Sequence, residues 1–291
     1  MGGRVGIVGL GIMGSAYAKN LIAAGVTVEG GDPSKAAQQR LQALGGVPHA
    51  AAGDWLAACD LVILALISPQ VLHSVTADLT GILSPGQIVL ETGTFALDDK
   101  IAARDLLAGA GIHLLDCPVS GTGAQAANGD ILMMASGPGA AIDDALPYMR
   151  HFTKDVIRAG DFGAGTRLKF VANHAVALHN TAAAETLNYA RALGLDGDLV
   201  YKMLSTGAGQ SKMSDLRMPL MLQQDYDPPT ASLKMFDKDI SVIGADIERL
   251  GVQAPLFRAC EALYQTASDI LPETHDTAAI YEVYRTRRAK S

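Results

Sequence analysis

The sequence predicts an α/β fold: a doubly wound parallel sheet followed by an all-α C-terminal domain. Three observations predict it. From residue 1 to about 160, short apolar runs alternate with helical stretches, the pattern of a sheet covered by helices on both faces. A glycine-rich turn follows the first of these runs. After Gly163-Ala-Gly165 the alternation stops, and long helical patterns take over without a strand-like run. At 291 residues the chain can hold two domains. The boundary is read at the glycines, giving 1–164 and 165–291.

Arg4-Val-Gly-Ile-Val8 is a buried-strand candidate that runs into Gly9-Leu10-Gly11-Ile12-Met13-Gly14, a G-x-G-x-x-G pattern. A helical stretch, Ser15 to Ala24, is closed by Gly25, and Val26 to Gly31 reads as a second strand ending at Asp32. Strand, glycine turn, helix, strand and a carboxylate eighteen positions beyond Gly14 form the context that makes the pattern a Rossmann-type dinucleotide site. The glycines allow a tight turn and close approach of backbone to a pyrophosphate, which would lie at the helix N-terminus. Asp32 has two readings: an acceptor for the adenosine ribose hydroxyls, or a strand-end or N-cap residue before Pro33. As a ribose acceptor it would repel a 2′-phosphate, and Pro33 stands where an Arg would welcome one. NAD is therefore expected, in preference to NADP.

The further strands expected are Leu61–Leu66, Ile88–Glu91, Ile112–Asp116, Ile131–Ala135 and Asp155–Arg158. Leu66, closing the first of these, joins the expected cofactor-binding set. Helices are expected over 166–192, 197–206, 214–223, 231–250 and 255–271.

The first of these helices carries an amine and an amide, Lys169 and Asn173, four positions apart. That spacing is about one turn, so both side chains leave the same face. Such a pair can move a proton and orient a hydroxyl. A Lys and an Asn one turn apart otherwise form a solvated stripe, but Leu168, Phe170, Val171, Ala172, Ala175 and Val176 suggest a helix buried on most sides.

The net charge of −7 disfavours nucleic acid or an anionic membrane as partner. No apolar run is long enough for a transmembrane helix, and the N-terminus reads as a strand rather than a signal or transit peptide. Cys59, Cys117 and Cys260 are odd in number and widely spaced, which points to a reducing, cytoplasmic compartment. The seven histidines form no ligand pattern, and no metal site is expected.

Four motifs in order resemble the β-hydroxyacid dehydrogenase family. They are Gly9 to Gly14; Asp116-Cys-Pro-Val-Ser120-Gly121-Thr122-Gly-Ala-Gln-Ala-Ala-Asn-Gly129, similar to the family's D-x-P-V-S-G-G substrate loop; Gly163 to Asn173, similar to G-x-G-x-x-x-K-x-x-x-N; and Lys238-Asp239-Ile240, similar to K-D-L. The resemblance spans essentially the whole chain. It implies that Lys169 is the catalytic acid/base, that Asn173 and Ser120-Gly121-Thr122 hold substrate, and that Lys238 lies near the cofactor. A solvated helical Lys is the competing reading of Lys238. Three positions depart from the pattern. Thr122 replaces a second Gly, which would narrow a carboxylate pocket or add a hydroxyl donor. Gly93 replaces a Ser, leaving Thr94 as the cofactor contact. Lys212 replaces an aromatic residue, and it reads as exposed or as reaching an acidic substrate.

The chemistry agrees with the resemblance. Oxidising an alcohol removes a hydride from carbon and a proton from oxygen. Lys169 can take the proton if burial and neighbouring positive charge lower its pKa. The 120–122 turn offers N–H and hydroxyl donors suited to a carboxylate. The expectation is an NAD-dependent dehydrogenase of a small 3-hydroxy acid, acting as a homodimer or homotetramer. The alternatives are an NADPH-dependent semialdehyde or imine reductase of the same superfamily and a non-catalytic nucleotide-binding protein.

Overall fold

The computed structural model describes residues 2–286. The chain divides into two compact units, Met1–Lys169 and Phe170–Ser291.

The first unit is built on one sheet. Its strands are β1 (Arg4–Val8), β2 (Thr27–Gly31), β3 (Val47–His49), β4 (Leu61–Leu64), β5 (Ile88–Glu91), β6 (His113–Asp116), β7 (Val119–Ser120), β8 (Leu132–Ser136) and β9 (Asp155–Gly160). They lie in the order β3-β2-β1-β4-β5-β6-β8-β7, with β9 also paired to β8. The six strands from β3 to β6 are parallel throughout. Their 3-2-1-4-5-6 order puts a topological switch between β1 and β4, where ligands of such sheets bind. The sheet is dominated by parallel pairs, as expected, with β8 running antiparallel to both β6 and β7. Eleven residues, 121–131, join β7 to β8, short of the dozen or more that a parallel crossover requires.

Six helices flank the sheet: α1 (Ile12–Ala23), α2 (Lys35–Ala43), α3 (Pro69–Ile82), α4 (Leu97–Gly109), α5 (Gly123–Ala126) and α6 (Gly139–Phe152). The core splits along the sheet because side chains alternate faces along a strand. In β4, Leu61 and Ile63 join one cluster with Leu21 of α1 and Met149 of α6. Val62 and Leu64 join the other with Leu79 of α3 and Leu107 of α4. Burial of each such side chain contributes about 1.5–3 kcal/mol.

The long helix α7 (Ala164–Ala192) begins in the first unit. The second unit continues with α8 (Gly197–Leu204), α9 (Lys212–Gln223), α10 (Leu233–Arg249), α11 (Pro255–Ile270) and α12 (Ile280–Thr286). Asp196, Ser211 and Ser232 start α8, α9 and α10 by accepting a first-turn N–H. Met218, Met221, Phe236, Phe257 and Tyr264 form the centre of the helical core. Ile280 and Val283 of α12, a helix without a sequence expectation, complete it. Among the described residues no helix is long and apolar enough to cross a membrane.

Candidate active site

The glycine turn leaves β1 at the switch between β1 and β4. Gly9 has φ +93°, and a side chain there would strike the Ala65 carbonyl oxygen at 2.3 Å. A Cβ on Gly14 would come within 1.9 Å of the Gly9 carbonyl oxygen, so α1 packs on the turn only because Gly14 has none. Gly11 differs: a Cβ there meets nothing within 4 Å. The turn is closed against the protein at Gly9 and Gly14 and open at Gly11, the arrangement a pyrophosphate needs. Ile12 of the turn and Ile67 beyond β4 expose apolar side chains, and half-buried Leu66 follows β4.

Asp32 follows β2, and its carboxylate is already employed. Oδ2 accepts the Leu10 N–H at 2.8 Å and Oδ1 accepts the Ser34 N–H at 2.8 Å. It therefore fastens the glycine turn to the end of β2. Ser34, not Asp32, caps α2. Each carboxylate oxygen retains acceptor capacity for a hydroxyl. These residues fit the adenosine and pyrophosphate of a nicotinamide dinucleotide.

Beyond β5, Gly93 donates its N–H to Glu91 Oε1 at 2.7 Å. A Cβ on Gly93 would lie 2.5 Å from the Phe95 ring, which accounts for glycine at that position. Half-buried Thr94 follows it.

Ser120 ends β7, and Gly121 has φ +145°, with Ile131 where a Cβ would go. The hydroxyl of Thr122 is taken up inside the loop. It accepts the Gln125 N–H, while Gln125 Oε1 accepts the Thr122 N–H, a reciprocal capping box that starts α5. Gly123 lets the Ile12 side chain close in, since a Cβ there would sit 2.4 Å from Ile12 Cγ2. The loop and the glycine turn thus pack directly on each other, and Asn20 and Lys19 of α1 donate to the Ala126 and Ala127 carbonyls.

Helix α7 starts where Gly165 sits against the sheet; a Cβ there would be 2.3 Å from the Met134 carbonyl oxygen. Thr166 then donates its N–H and its hydroxyl to Asp116, at 2.8 and 2.7 Å. Lys169 follows three residues on and is half-buried. The expectation of a helix buried on most sides does not hold here: Leu168 is 40% and Val171 67% exposed. Within the second unit, buried Asn173 donates its Nδ2–H to Asp239 Oδ2 at 2.8 Å. Asp239 also pairs with half-exposed Lys238 at 3.1 Å. The bond to Asp239 fixes the orientation of the Asn173 amide, whose acceptor is Oδ1. Lys212 is exposed at the start of α9.

Asp116, which heads the substrate-loop motif, is held together with Glu91 and Lys100, and those two partners had no individual sequence signal. Among the described residues no group of three or more His, Cys, Asp or Glu could hold a metal ion.

Residues 4–160 match the family model for the NAD binding domain of 6-phosphogluconate dehydrogenase, and residues 163–284 match the one for the NAD-binding of NADP-dependent 3-hydroxyisobutyrate dehydrogenase. The chain is 31% identical to L-threonate dehydrogenase of Cupriavidus necator over 98% of its own length and 97% of the relative's. The solved structure of 3-hydroxyisobutyrate dehydrogenase from Salmonella typhimurium superposes with a TM-score of 0.87 at 29% identity, covering 96% of this chain and 99% of that one. That of the Mycobacterium tuberculosis 3-hydroxyisobutyrate dehydrogenase with L-serine gives 0.90 at 25% identity, covering 98% and 100%. The two family models put the chain among the nicotinamide-dependent oxidoreductases. Within that class the chain belongs to the β-hydroxyacid dehydrogenase family, whose members act on the CH–OH group of small hydroxy acids.

Proposed function

We propose that the chain oxidises a small 3-hydroxy acid with NAD, and that Lys169 accepts the hydroxyl proton. One observation carries this reading. Thr166, three residues before Lys169, is bonded to Asp116 at the carboxyl end of β6, the strand end from which the Ser120 loop departs. The start of the Lys169 helix and the loop thus lie at the same carboxyl end of the parallel strands as the glycine turn after β1, which supports a shared site.

A bound nicotinamide dinucleotide supplies the hydride acceptor. Gly9, Leu10, Gly11, Ile12, Met13 and Gly14 would hold its pyrophosphate, Asp32 its adenosine ribose, and Leu66, Thr94 and Lys238 the remainder. Asp32 and the following Pro33 support NAD over NADP, since neither welcomes a second phosphate. The chain's own work is on the substrate. Ser120 and the turn at Gly121 would hold the carboxylate, with Thr122 shaping the turn through its cap rather than donating to substrate. Asn173 Oδ1 would orient the hydroxyl, and unprotonated Lys169 would take its proton as the hydride leaves. 3-Hydroxyisobutyrate, named for one relative, and L-serine, present with one solved structure, carry a hydroxyl on the third carbon of an acid, while L-threonate, named for another relative, carries hydroxyls on its second, third and fourth carbons. They support that substrate class.

The 1–164 segment acts as the dinucleotide-binding domain and 165–291 as the substrate and oligomerisation domain of a cytoplasmic homodimer or homotetramer. The exposed Leu199, Met203, Leu250 and Leu256 of the second unit support association of copies.

The test is a panel of 3-hydroxyisobutyrate, 3-hydroxypropionate, serine and threonate with each cofactor, followed as the appearance of NADH or NADPH absorbance. Turnover of at least one acid with NAD is expected. No turnover of any acid, with cofactor binding intact, would favour a non-catalytic nucleotide-binding protein.

A further inference from the structure

We infer that Lys100 is a positioning residue: its buried ammonium holds the two carboxylates from which the Thr94 turn, the Ser120 loop and the Lys169 helix all take their positions. The inference rests on the functional reading above.

Lys100 lies on α4 and is fully buried, as are Glu91 and Asp116. Its Nζ is 2.6 Å from Glu91 Oε2 and 2.8 Å from Asp116 Oδ1. Glu91 is the last residue of β5, and its other oxygen accepts the Gly93 N–H at 2.7 Å, which sets the turn into Thr94. Asp116 is the last residue of β6, and its main chain runs on through Cys117 and Pro118 to Ser120. The Asp116 side chain takes both donors of Thr166, at the start of α7. Ser136 joins the cluster by donating to Asp116 Oδ2 at 3.0 Å and accepting the Gly165 N–H at 3.0 Å. Gly165 itself cannot carry a side chain there. Three segments far apart in sequence are thus referred to a single cation.

The arrangement is a costly way to fill a core. Two carboxylates face one ammonium, and a set of apolar side chains of similar volume would be as stable or more so. Burial pushes the Glu91 carboxyl up. Burial acts the same way on Asp116, but the Lys100 ammonium and the Thr166 donors outweigh it and hold that carboxyl below its ordinary value. What the charges add over apolar packing is direction: each oxygen is aimed at a particular N–H or O–H. Displacement of a reacting group by about 1 Å can slow turnover on the order of a hundredfold, so a fixed origin for α7 bears on rate.

Two pairs of variants test this, with kcat, KM and NADH affinity measured on protein shown to be folded by circular dichroism. Thr166→Val keeps the shape and removes the hydroxyl bonded to Asp116; Thr166→Ser keeps both donors. Thr166→Val is expected to lower kcat about tenfold with NADH affinity unchanged, and Thr166→Ser to restore it. Lys100→Met is expected to lower kcat at least as much and to weaken NADH binding through the Thr94 turn. If it does not fold, Glu91→Gln with Lys100→Met removes the pair without leaving an additional uncompensated charge, and the same losses are expected. A folded Lys100 variant with wild-type kcat and NADH affinity overturns the inference. So does a loss of stability in Thr166→Val without a loss of kcat, and the Thr166 pair decides alone if neither Lys100 variant folds. Lys169→Ala assayed alongside separates the two readings. Turnover retained there removes Lys169 from the chemistry, while the Thr166 pair still reports whether the start of α7 controls rate.

Discussion

Asp32 Oδ2 accepts the Leu10 N–H at 2.8 Å, joining the end of β2 to the glycine turn after β1. The residue proposed to select the cofactor therefore also shapes the turn proposed to bind it. A carboxylate does this with two acceptor oxygens, one for Leu10 and one for Ser34.

Wild-type protein is expected to show higher kcat/KM with NAD than with NADP. Asp32→Asn with Pro33→Arg should shift the ratio toward NADP. It should also weaken both cofactors, because an amide has only one acceptor oxygen and leaves Leu10 or Ser34 facing an NH₂ group. That mismatch costs about 1–3 kcal/mol. Steady-state kinetics with both cofactors read the ratio, and a wild-type preference for NADP would remove Asp32 from the ribose.

Asn173 and Asp239 should act as one unit, since the Asp239 carboxylate orients the amide. Asn173→Ala is expected to lower kcat/KM for the hydroxy acid by roughly tenfold or more, the scale of a hydrogen bond to a charged group. In that background Asp239→Ala should add little, because neighbours in one network are not additive. A double-mutant cycle measures this, and independent, additive effects would break the link.

Ser120→Ala should lose about 1–3 kcal/mol of transition-state binding and blunt discrimination between a hydroxy acid and its amide. The loss should show in kcat as well as KM, because the distant carboxylate orients the reacting carbon. Equal oxidation of acids and neutral amides by the wild type would mean that the loop does not hold a carboxylate.

Stability should fall at alkaline pH. Burial pushes the Cys59 thiol from 9.0 up to about 11, so between those values the folded state holds a proton that the unfolded chain has lost. Buried Tyr17 and Tyr264, whose ordinary value is 10.0, are pushed upward by the same cause. Burial opposes the charge on Lys100, but the Asp116 and Glu91 carboxylates outweigh it and raise its value above the ordinary 10.5. In every case the folded state binds more protons, and the slope of stability with pH is negative. Tm measured across alkaline pH should decline from about pH 9, and Cys59→Ala should make that decline shallower between 9 and 11, where the Cys117 and Cys260 thiols, also pushed up by burial, supply the rest. A Tm that holds through pH 11 would contradict these shifts.

Much of this architecture was legible because glycine is required where backbone conformation or close approach forbids a side chain. Gly9, Gly14, Gly121 and Gly165 mark such places, and they delimit the turn after β1, the loop after β7 and the start of α7. Strand β3 escaped notice because three residues with a proline at the sheet edge carry no alternation. Strand β7 is two residues long. Strand direction is invisible to periodicity, so the antiparallel β8 could not be foreseen. Partners of the site residues were hidden by distance along the chain: Thr166 and Asp116 are 50 positions apart, Asn173 and Asp239 are 66. Thr122 is a different case. Thr-x-x-Gln is the signature of a capping box, and it identifies the hydroxyl as structural before any pocket is considered.

The most direct measurement is turnover and NADH binding of Lys169→Ala, side by side with the wild type. NADH affinity is expected to stay nearly unchanged, because the amine acts on substrate. Turnover is expected to fall by roughly 10²–10⁴, the usual contribution of a positioned acid or base. The wild type's oxidative kcat/KM should rise with pH as the amine loses its proton, and the variant should lose that dependence. A Lys169→Ala protein that keeps near-normal kcat and the same pH profile would contradict the assignment of the proton to Lys169.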